Sequence, residues 1–170
     1  MNNKNIENNM LAHSVNVTKM FDDIAPNYDK LNDLFSLGNN NKWKRKMLAG
    51  AGSLKNMQAL DIATGTGDVA FELIKRDIEH VTAVDPSSAM LEICEAKIKE
   101  KSLDEKITCI EASAELLPLN SNKFDIATIS FGLRNFDNID KSLEEINRIL
   151  KPDGQIVIME FFNSSIISCK

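Results

Sequence analysis

Long apolar runs are the first thing this chain does without. No stretch of its 170 residues approaches the roughly 20 apolar residues that cross a bilayer, so no membrane span is expected. A basic excess is missing too. Its 20 Lys and Arg stand against 25 Asp and Glu, both signs interspersed, and the net charge of −5 leaves no electrostatic footprint for nucleic acid. Cysteine is scarce: Cys94, Cys109 and Cys169 are odd in number and far apart in sequence, which provides neither a disulfide framework nor a zinc spacing. Cys94 and Cys109 read instead as small core residues in a reducing compartment. The two histidines, His13 and His80, have no partner in sequence, and no metal site is expected. Residues Met1–Asn9 are polar and Asn-rich, without an apolar core segment or arginine and with Glu7, which fits neither a secretory signal nor a transit peptide. A cytoplasmic protein is expected, with residues 1–16 disordered or loosely docked. Internal repeats and a second domain are absent from the pattern.

What the chain does have is a glycine-rich turn. Ala59–Asp68 reads Ala-Leu-Asp-Ile-Ala-Thr-Gly-Thr-Gly-Asp, with short apolar residues before it and a helical pattern after it. Strand, Gly-rich turn and helix in that order bring backbone amides close to a nucleotide-like ligand. With Ala70 the spacing also fits the dinucleotide fingerprint G-x-G-x-x-G/A, so Gly65 and Gly67 alone choose no cofactor. The flanking acids do. A pyrophosphate at this turn would lie near both Asp61 and Asp68, and like charges a few Å apart are costly in a desolvated pocket. S-adenosylmethionine carries no phosphate, and its sulfonium and ammonium suit such a loop. Asp85 follows the apolar Val81–Val84 about 20 residues after the turn, where a carboxylate accepts hydrogen bonds from ribose hydroxyls.

Strand and helix signals alternate from residue 57 onward. Strands are expected over Met57–Ile62, Val81–Val84, Ile107–Ile110, Phe124–Ser130 and Gln155–Phe162. Helices are expected over Asp68–Arg76, after Ser87 as N-cap (burying Met90, Leu91, Cys94 and Ile98), and along the stripe Leu143, Ile146, Ile149 and Leu150, which Lys151-Pro152-Asp153-Gly154 stops. Such βαβ alternation implies an α/β, doubly wound, mostly parallel sheet with right-handed crossovers. Residues 57–162 form this core, and 17–170 one domain. Upstream, Met20, Phe21, Ile24, Leu31, Leu34 and Phe35 around Pro26 fit two short helices, and Trp43–Leu48 a basic helical piece. Trp43–Leu48 reads either as a solvated basic face beneath one buried Trp43 or as part of a helical lid, residues 17–52, with Lys42, Lys44, Arg45 and Lys46 near a membrane surface.

Ligands in this architecture collect at the C-terminal strand ends. The Gly65–Gly67 loop, Asp85, the Ser113-Ala114 turn and Ser130-Phe131-Gly132-Leu133-Arg134-Asn135 all fall there. Ser113 and Ala114 either close around an adenine or make an ordinary loop. Arg134 and Asn135 stand at the mouth of the central strand, where a substrate would lie, or Arg134 is a solvated charge.

The segments Asp61–Asp68, Ala114-Glu115-Leu116-Leu117-Pro118 and Ile129–Asn135 resemble the ubiquinone/menaquinone-biosynthesis C-methyltransferases. Phe21-Asp22-x-Ile24-Ala25-x-x-Tyr28-Asp29-x-Leu31-Asn32, Ser36-Leu37-Gly38 and Trp43-Lys44 resemble that family's opening segment. The resemblance spans about Val17 to Phe162. It implies a class I methyltransferase of the Rossmann-like kind, with S-adenosylmethionine held by Thr66, Asp85, Ser113, Ala114 and Ser130 alongside Asp61, Gly65 and Gly67. It further implies C-methylation of a prenylated quinol, with Arg134 steadying the phenolate, Asn135 orienting it, and Tyr28 and Asp29 over the pocket, Asp29 accepting the proton. The isoprenoid tail implies transient contact with the inner face of a membrane and a place in a quinone-biosynthesis complex. Ser113 stands where that family commonly carries Asp or Asn. The family also continues beyond strand 5 through a helix and two final strands, so the resemblance implies a sheet lacking its last strands. That leaves an unpaired strand-5 edge prone to self-association and a weakened turnover. The alternatives are another small-molecule methyltransferase, or a shortened product that binds S-adenosylmethionine without catalysis.

Overall fold

Residues 16–161 are described by the structure, a computed structural model. Helix α1 covers residues 16–24 and runs into a 3-10 turn, Ala25–Asn27, with Pro26 inside it. Next come α2 (Tyr28–Phe35) and α3 (Asn40–Ala49). The core then alternates β1 (Gln58–Ile62), α4 (Asp68–Ile74), β2 (His80–Asp85), α5 (Ser88–Glu100) and β3 (Ile107–Glu111). It closes with β4 (Phe124–Ser130), α6 (Ile139–Ile149) and β5 (Leu150–Met159). All pairings are parallel and the strand order is β3-β2-β1-β4-β5. Strand order reverses between β1 and β4, so their C-terminal ends frame the crevice in which such sheets bind ligands.

Alternation along the strands sorts side chains to two layers. Ala59, Val81, Ala83, Ile107 and Ile126 pack with Leu48 of α3, Val69 and Leu73 of α4 and Cys94 and Ile98 of α5. Leu60, Ile62, Val84, Ala127 and Ile129 face Ile146 and Ile149 of α6 and the 112–119 connection. Helices therefore cover both faces, as the doubly wound expectation requires. Ser87 caps α5, its hydroxyl accepting from Met90 N at 3.2 Å.

Several expectations are corrected. Lys151–Gly154 does not end α6 as a loop; it lies inside β5. Leu150 pairs with Phe124 and Gln155 with Ile126, so the extra residues bulge from the ladder, with Asp153 at φ 70°. Leu150 accordingly starts a strand instead of closing the helix stripe, and Leu143 is 38 % exposed. Phe162 lies outside the described residues. In α2, Leu34 and Phe35 are 67 and 81 % exposed: the start of the helix, Tyr28 and Asp29, meets the core, and nothing described covers its far end. Met20 is likewise exposed. Trp43 is half-buried, and Lys44, expected in a basic solvated or membrane-facing row, is buried against Asp68. Cys94 and Cys109 are distant in sequence but meet, Sγ to Sγ, at 3.7 Å; both are free and Cys109 is only half-buried. Among the described residues no helix is long and apolar enough to cross a membrane, and β5 pairs only with β4. Cys169 and His13 lie outside the described residues.

Candidate functional site

The turn after β1 has an unusual backbone: Ala63, Gly65 and Gly67 all take positive φ, at 53°, 55° and 90°. Thr64 N donates to Val84 O at 3.0 Å and Gly67 N to Thr64 O at 3.0 Å, which ties the turn to β2. Gly67 is confined as well as left-handed. A Cβ there would meet Cys94 Sγ at 2.5 Å and Phe71 Cε2 at 3.0 Å. Across the crevice a Cβ on Gly132 would meet Ala63 Cβ at 2.4 Å, so the loop after β4 lies directly on the loop after β1.

Two carboxylates organise this turn. Asp85, the last residue of β2, accepts from Gly65 N at 2.8 Å and from Ser87 N at 3.0 Å. It is 8 % exposed; burial raises its carboxyl above the ordinary range, and the two amides oppose that rise. Asp61 is 1 % exposed and accepts from Thr64 Oγ1 at 2.6 Å and Thr128 Oγ1 at 2.7 Å. Burial pushes it up to about 6 against those two hydroxyls.

A cavity of about 100 Å3 opens over the strand ends. Its floor comes from Gly65, Asp85, Ser113, Ala114, Ser130 and Asn135, and its roof from Val17, Thr18, Phe21 and Tyr28. Ser130 Oγ is buried without a hydrogen-bond partner, a polar atom left for a ligand to satisfy. The volume is below the roughly 300–1,000 Å3 of small-molecule sites, with α1 and Tyr28 lining it on the roof side. A neighbouring cavity of about 30 Å3 is lined by Asp61, Thr64, Thr66, Lys44 and Asp68, with Tyr28 and Ser130 shared between the two. Burial raises the Tyr28 hydroxyl above its ordinary value, so it stays protonated at neutral pH.

Polar ties fasten the roof to the floor. Ser87 Oγ donates to Asp22 at 2.5 Å, and Thr66 Oγ1 donates to Asp29 at 2.6 Å. Lys97 Nζ reaches Asp29 at 2.7 Å and Thr66 O at 3.1 Å, while Lys44 holds Asp68 at 2.6 Å. Burial raises the Asp29 carboxyl, but Lys97 and Thr66 together carry it below its ordinary value. The two contacts tie α2 to the turn and to α5, and the lowered carboxyl weakens Asp29 as the proton acceptor that the resemblance implies.

Of the expected site residues, Tyr28, Gly65, Asp85, Ser113, Ala114, Ser130 and Asn135 meet around the larger cavity. Asp61 and Thr66 open on the smaller one, and the Thr66 hydroxyl is already engaged. Gly67 shapes the turn. Asp29 and Arg134 line neither cavity; the Arg134 guanidinium pairs with Glu160, whose side chain is buried while that of Arg134 is 53 % exposed. Sequence reasoning missed Lys97 and Thr128. Thr128 was legible in principle, being the residue of β4 that the parallel register sets beside Asp61; Lys97 was one of the two bases on α5.

The model of the ubiE/COQ5 methyltransferase family matches residues 9–170. Ubiquinone/menaquinone biosynthesis C-methyltransferase UbiE of Bartonella tribocorum is 40 % identical over 151 residues, covering 86 % of this chain and 58 % of that protein. Demethylmenaquinone methyltransferase of Bacteroides fragilis is 40 % identical over 149 residues, covering 86 and 60 %. The chain thus spans less than two thirds of the length of these relatives. Among solved structures, a SAM-dependent methyltransferase from Aquifex aeolicus superposes with a TM-score of 0.70 at 25 % identity, covering 80 % of this chain and 72 % of that one. The YcgJ protein of Bacillus subtilis gives 0.65 at 23 %, covering 70 and 50 %, a likeness of fold.

Proposed function

The chain belongs to the ubiE/COQ5 methyltransferase family, and we propose that it binds S-adenosylmethionine in the roofed cavity and methylates a ring carbon of a prenylated quinol in ubiquinone or menaquinone biosynthesis. The observation that carries this reading is the pair of buried carboxylates, Asp61 and Asp85, on either side of a left-handed glycine turn. They repel a pyrophosphate and suit a ligand with a cationic end and a diol.

Asp85 would hold the ribose diol, Asp61 the ammonium, Ser113 and Ala114 the adenine edge, and Ser130 Oγ an otherwise unmet polar atom. When bound, S-adenosylmethionine supplies an electrophilic methyl group on a sulfonium. The protein's part is to orient and to exclude water. Asn135, on the cavity floor, orients the quinol oxygen. Arg134, next to Asn135 in the chain and paired with Glu160, steadies the negative charge that grows on that oxygen once the guanidinium turns to the cavity. The raised Tyr28 keeps its proton and donates it as a hydrogen bond inside the cavity.

Residues 17–52 act as the lid of the 57–161 core, with Asp22–Ser87 and Asp29–Thr66–Lys97 as its fastenings. The exposed Leu34, Phe35 and Leu37, followed in the chain by the exposed bases Lys42, Arg45 and Lys46, support transient contact with an anionic membrane surface. Phe35→Asp is expected to reduce co-sedimentation with anionic vesicles severalfold, and unchanged sedimentation would reject that contact.

Calorimetry with S-adenosylmethionine, run beside methylation of a demethylated quinol, tests the whole reading. Asp85→Ala removes charge-assisted hydrogen bonds of about 1.5–3 kcal/mol each, so affinity should fall tenfold or more. Arg134→Ala should leave that affinity nearly intact while lowering turnover, because the interaction strengthens only as charge develops. Tight binding of NAD, or normal cofactor affinity in Asp85→Ala, overturns the assignment. Full turnover in Arg134→Ala makes that residue a surface charge.

A further inference from the structure

Two thiols that methyl transfer does not use touch each other at the far side of the sheet. Cys94 lies on α5 and is fully buried. Cys109 lies on β3, the outer strand among the described residues, and is half-buried. Because α5 packs on β3, their sulfurs stand 3.7 Å apart, and both are free. A disulfide needs about 2.05 Å between sulfurs, so roughly 1.7 Å must close. Cys94 is fixed from above, since a Cβ on Gly67 would fall 2.5 Å from its sulfur. The approach therefore belongs to Cys109, whose partial exposure leaves its side chain room to turn. The two thiols also differ in reactivity. The hydrogen bond between them and burial push the Cys94 thiol up, whereas that bond carries Cys109 below its ordinary value, against its partial burial and Glu95. The thiolate is the nucleophilic form of cysteine. Cys109 is thus the accessible nucleophile, with a protonated thiol in contact behind it.

We propose that Cys94 and Cys109 form a peroxide-reactive dithiol, a modification site in which Cys109 takes the oxidant and Cys94 resolves it as an intramolecular disulfide. The oxidant is a hydroperoxide. The Cys109 sulfur attacks its terminal oxygen and the O–O bond breaks. The departing alkoxide or hydroxide takes up the Cys109 proton, which leaves a sulfenic acid on Cys109. The Cys94 sulfur then attacks the Cys109 sulfur. An S–S bond forms, the S–O bond breaks, and the hydroxyl leaves as water with the Cys94 proton. Two thiols have lost two electrons, and one hydroperoxide has become an alcohol and water. A small thiol reverses the bridge by exchange. Without a resolving partner the sulfenic acid goes on to a sulfinate, which small thiols do not reduce. That sulfinate would set a charge against the sulfur on which the Gly67 turn rests. The bridge stops short of it and leaves Cys94 in place. This chemistry stands whether or not the cavity takes S-adenosylmethionine.

The full chain carrying Cys169→Ser tests this, because the pair then supplies all of its thiols. Brief exposure to a small excess of hydrogen peroxide should remove both thiols from iodoacetamide labelling. Peptide mapping should find Cys94 joined to Cys109, a non-reducing gel should show no dimer, and dithiothreitol should restore both thiols. Cys109→Ser should slow the loss of the remaining, buried thiol about 100-fold or more. Under prolonged exposure Cys94→Ala should gain two oxygens at Cys109 that dithiothreitol does not remove, while the parent pair stays recoverable. Two thiols still labelled after peroxide, or a bridge found only between chains, overturns the proposal. Loss of the Cys94 thiol at the parental rate in Cys109→Ser overturns it as well, since Cys109 is then not the point of entry. A Cys94→Ala chain that dithiothreitol restores completely shows that Cys94 resolves nothing. If Cys94→Ala does not fold, the peptide map and Cys109→Ser decide between the same outcomes.

Discussion

Gly67→Ala is expected to lower the unfolding free energy by about 3–5 kcal/mol and to abolish cofactor binding. Two costs add. At φ 90° an L side chain is strained by about 1–3 kcal/mol. The new methyl would also sit 2.5 Å from Cys94 Sγ and 3.0 Å from Phe71 Cε2, and overpacking a tight core costs about 1–3 kcal/mol. Cys94 has no exposed surface and cannot swing away. Gly65→Ala is the control: its φ is also positive, but its Cβ would meet only Tyr28 Cε1 at an ordinary 3.6 Å, so the conformational cost alone applies. Urea unfolding of both variants, and of Gly67→Ala combined with Cys94→Ala, checks the reasoning. The double variant should recover the steric part. If Gly67→Ala melts within about 1 kcal/mol of the parent chain, the turn is not packed as described.

The parts of this molecule legible in the sequence were those that local chemistry decides. The Asp61–Asp68 turn announces itself because a ligand-facing backbone needs glycine at left-handed positions and acids at fixed offsets. The five strands announce themselves because buried parallel strands are short apolar runs. What stayed hidden depends on partners far away in the chain. Lys151–Gly154 has the composition of a turn and makes one, yet pairings at Leu150 and Gln155 absorb it into β5 as a bulge. The apolar spacing of Leu34 and Phe35 predicts a helix, which forms, but periodicity cannot say whether anything covers that face. Lys44 read as one of a basic row until α4 set Asp68 opposite it.

The proposed roles differ in the same way. Asp85 was placed from the strand before it, and the structure sets it at the crevice with two amides fixing its orientation. For Asp29 the resemblance implies a proton acceptor over the pocket. Its partners, Thr66 and Lys97, come from the turn and from α5, and they make it a fastening of the roof. On the proposed lid reading, the contacts at 2.5–2.7 Å that hold the roof are the ones to release for a ligand larger than the closed cavity.

Cofactor affinity is expected to collapse below about pH 6, and Asp61 is the reason. The residue is 1 % exposed, and burial lifts its carboxyl from the ordinary 3.8 to about 6 despite the hydroxyls of Thr64 and Thr128. The sign follows from linkage. The folded chain holds this proton more tightly than the unfolded chain, so the stabilisation is complete below the unfolded value and is lost as pH rises through about 6. The span from 3.8 to about 6 corresponds to roughly 3 kcal/mol. Above pH 6 the ligand-free protein therefore holds a costly buried carboxylate, which the ammonium of S-adenosylmethionine would neutralise; below pH 6 binding must first expel a proton. Affinity should fall up to about tenfold per pH unit between 6 and 4, with release of close to one proton per ligand bound. Calorimetry in two buffers of different ionisation enthalpy reads that proton directly. Asp61→Asn should bind more than about 100-fold more weakly at pH 7, since one partner of a buried ion pair is gone. It should also lose the Asp61 part of the pH dependence, leaving that of Asp85, whose carboxyl is raised by burial too. An affinity flat from pH 7 to 5 with no proton released, or an Asp61→Asn variant that binds normally, would show that the ammonium is held elsewhere and that Asp61 only braces the turn against β4.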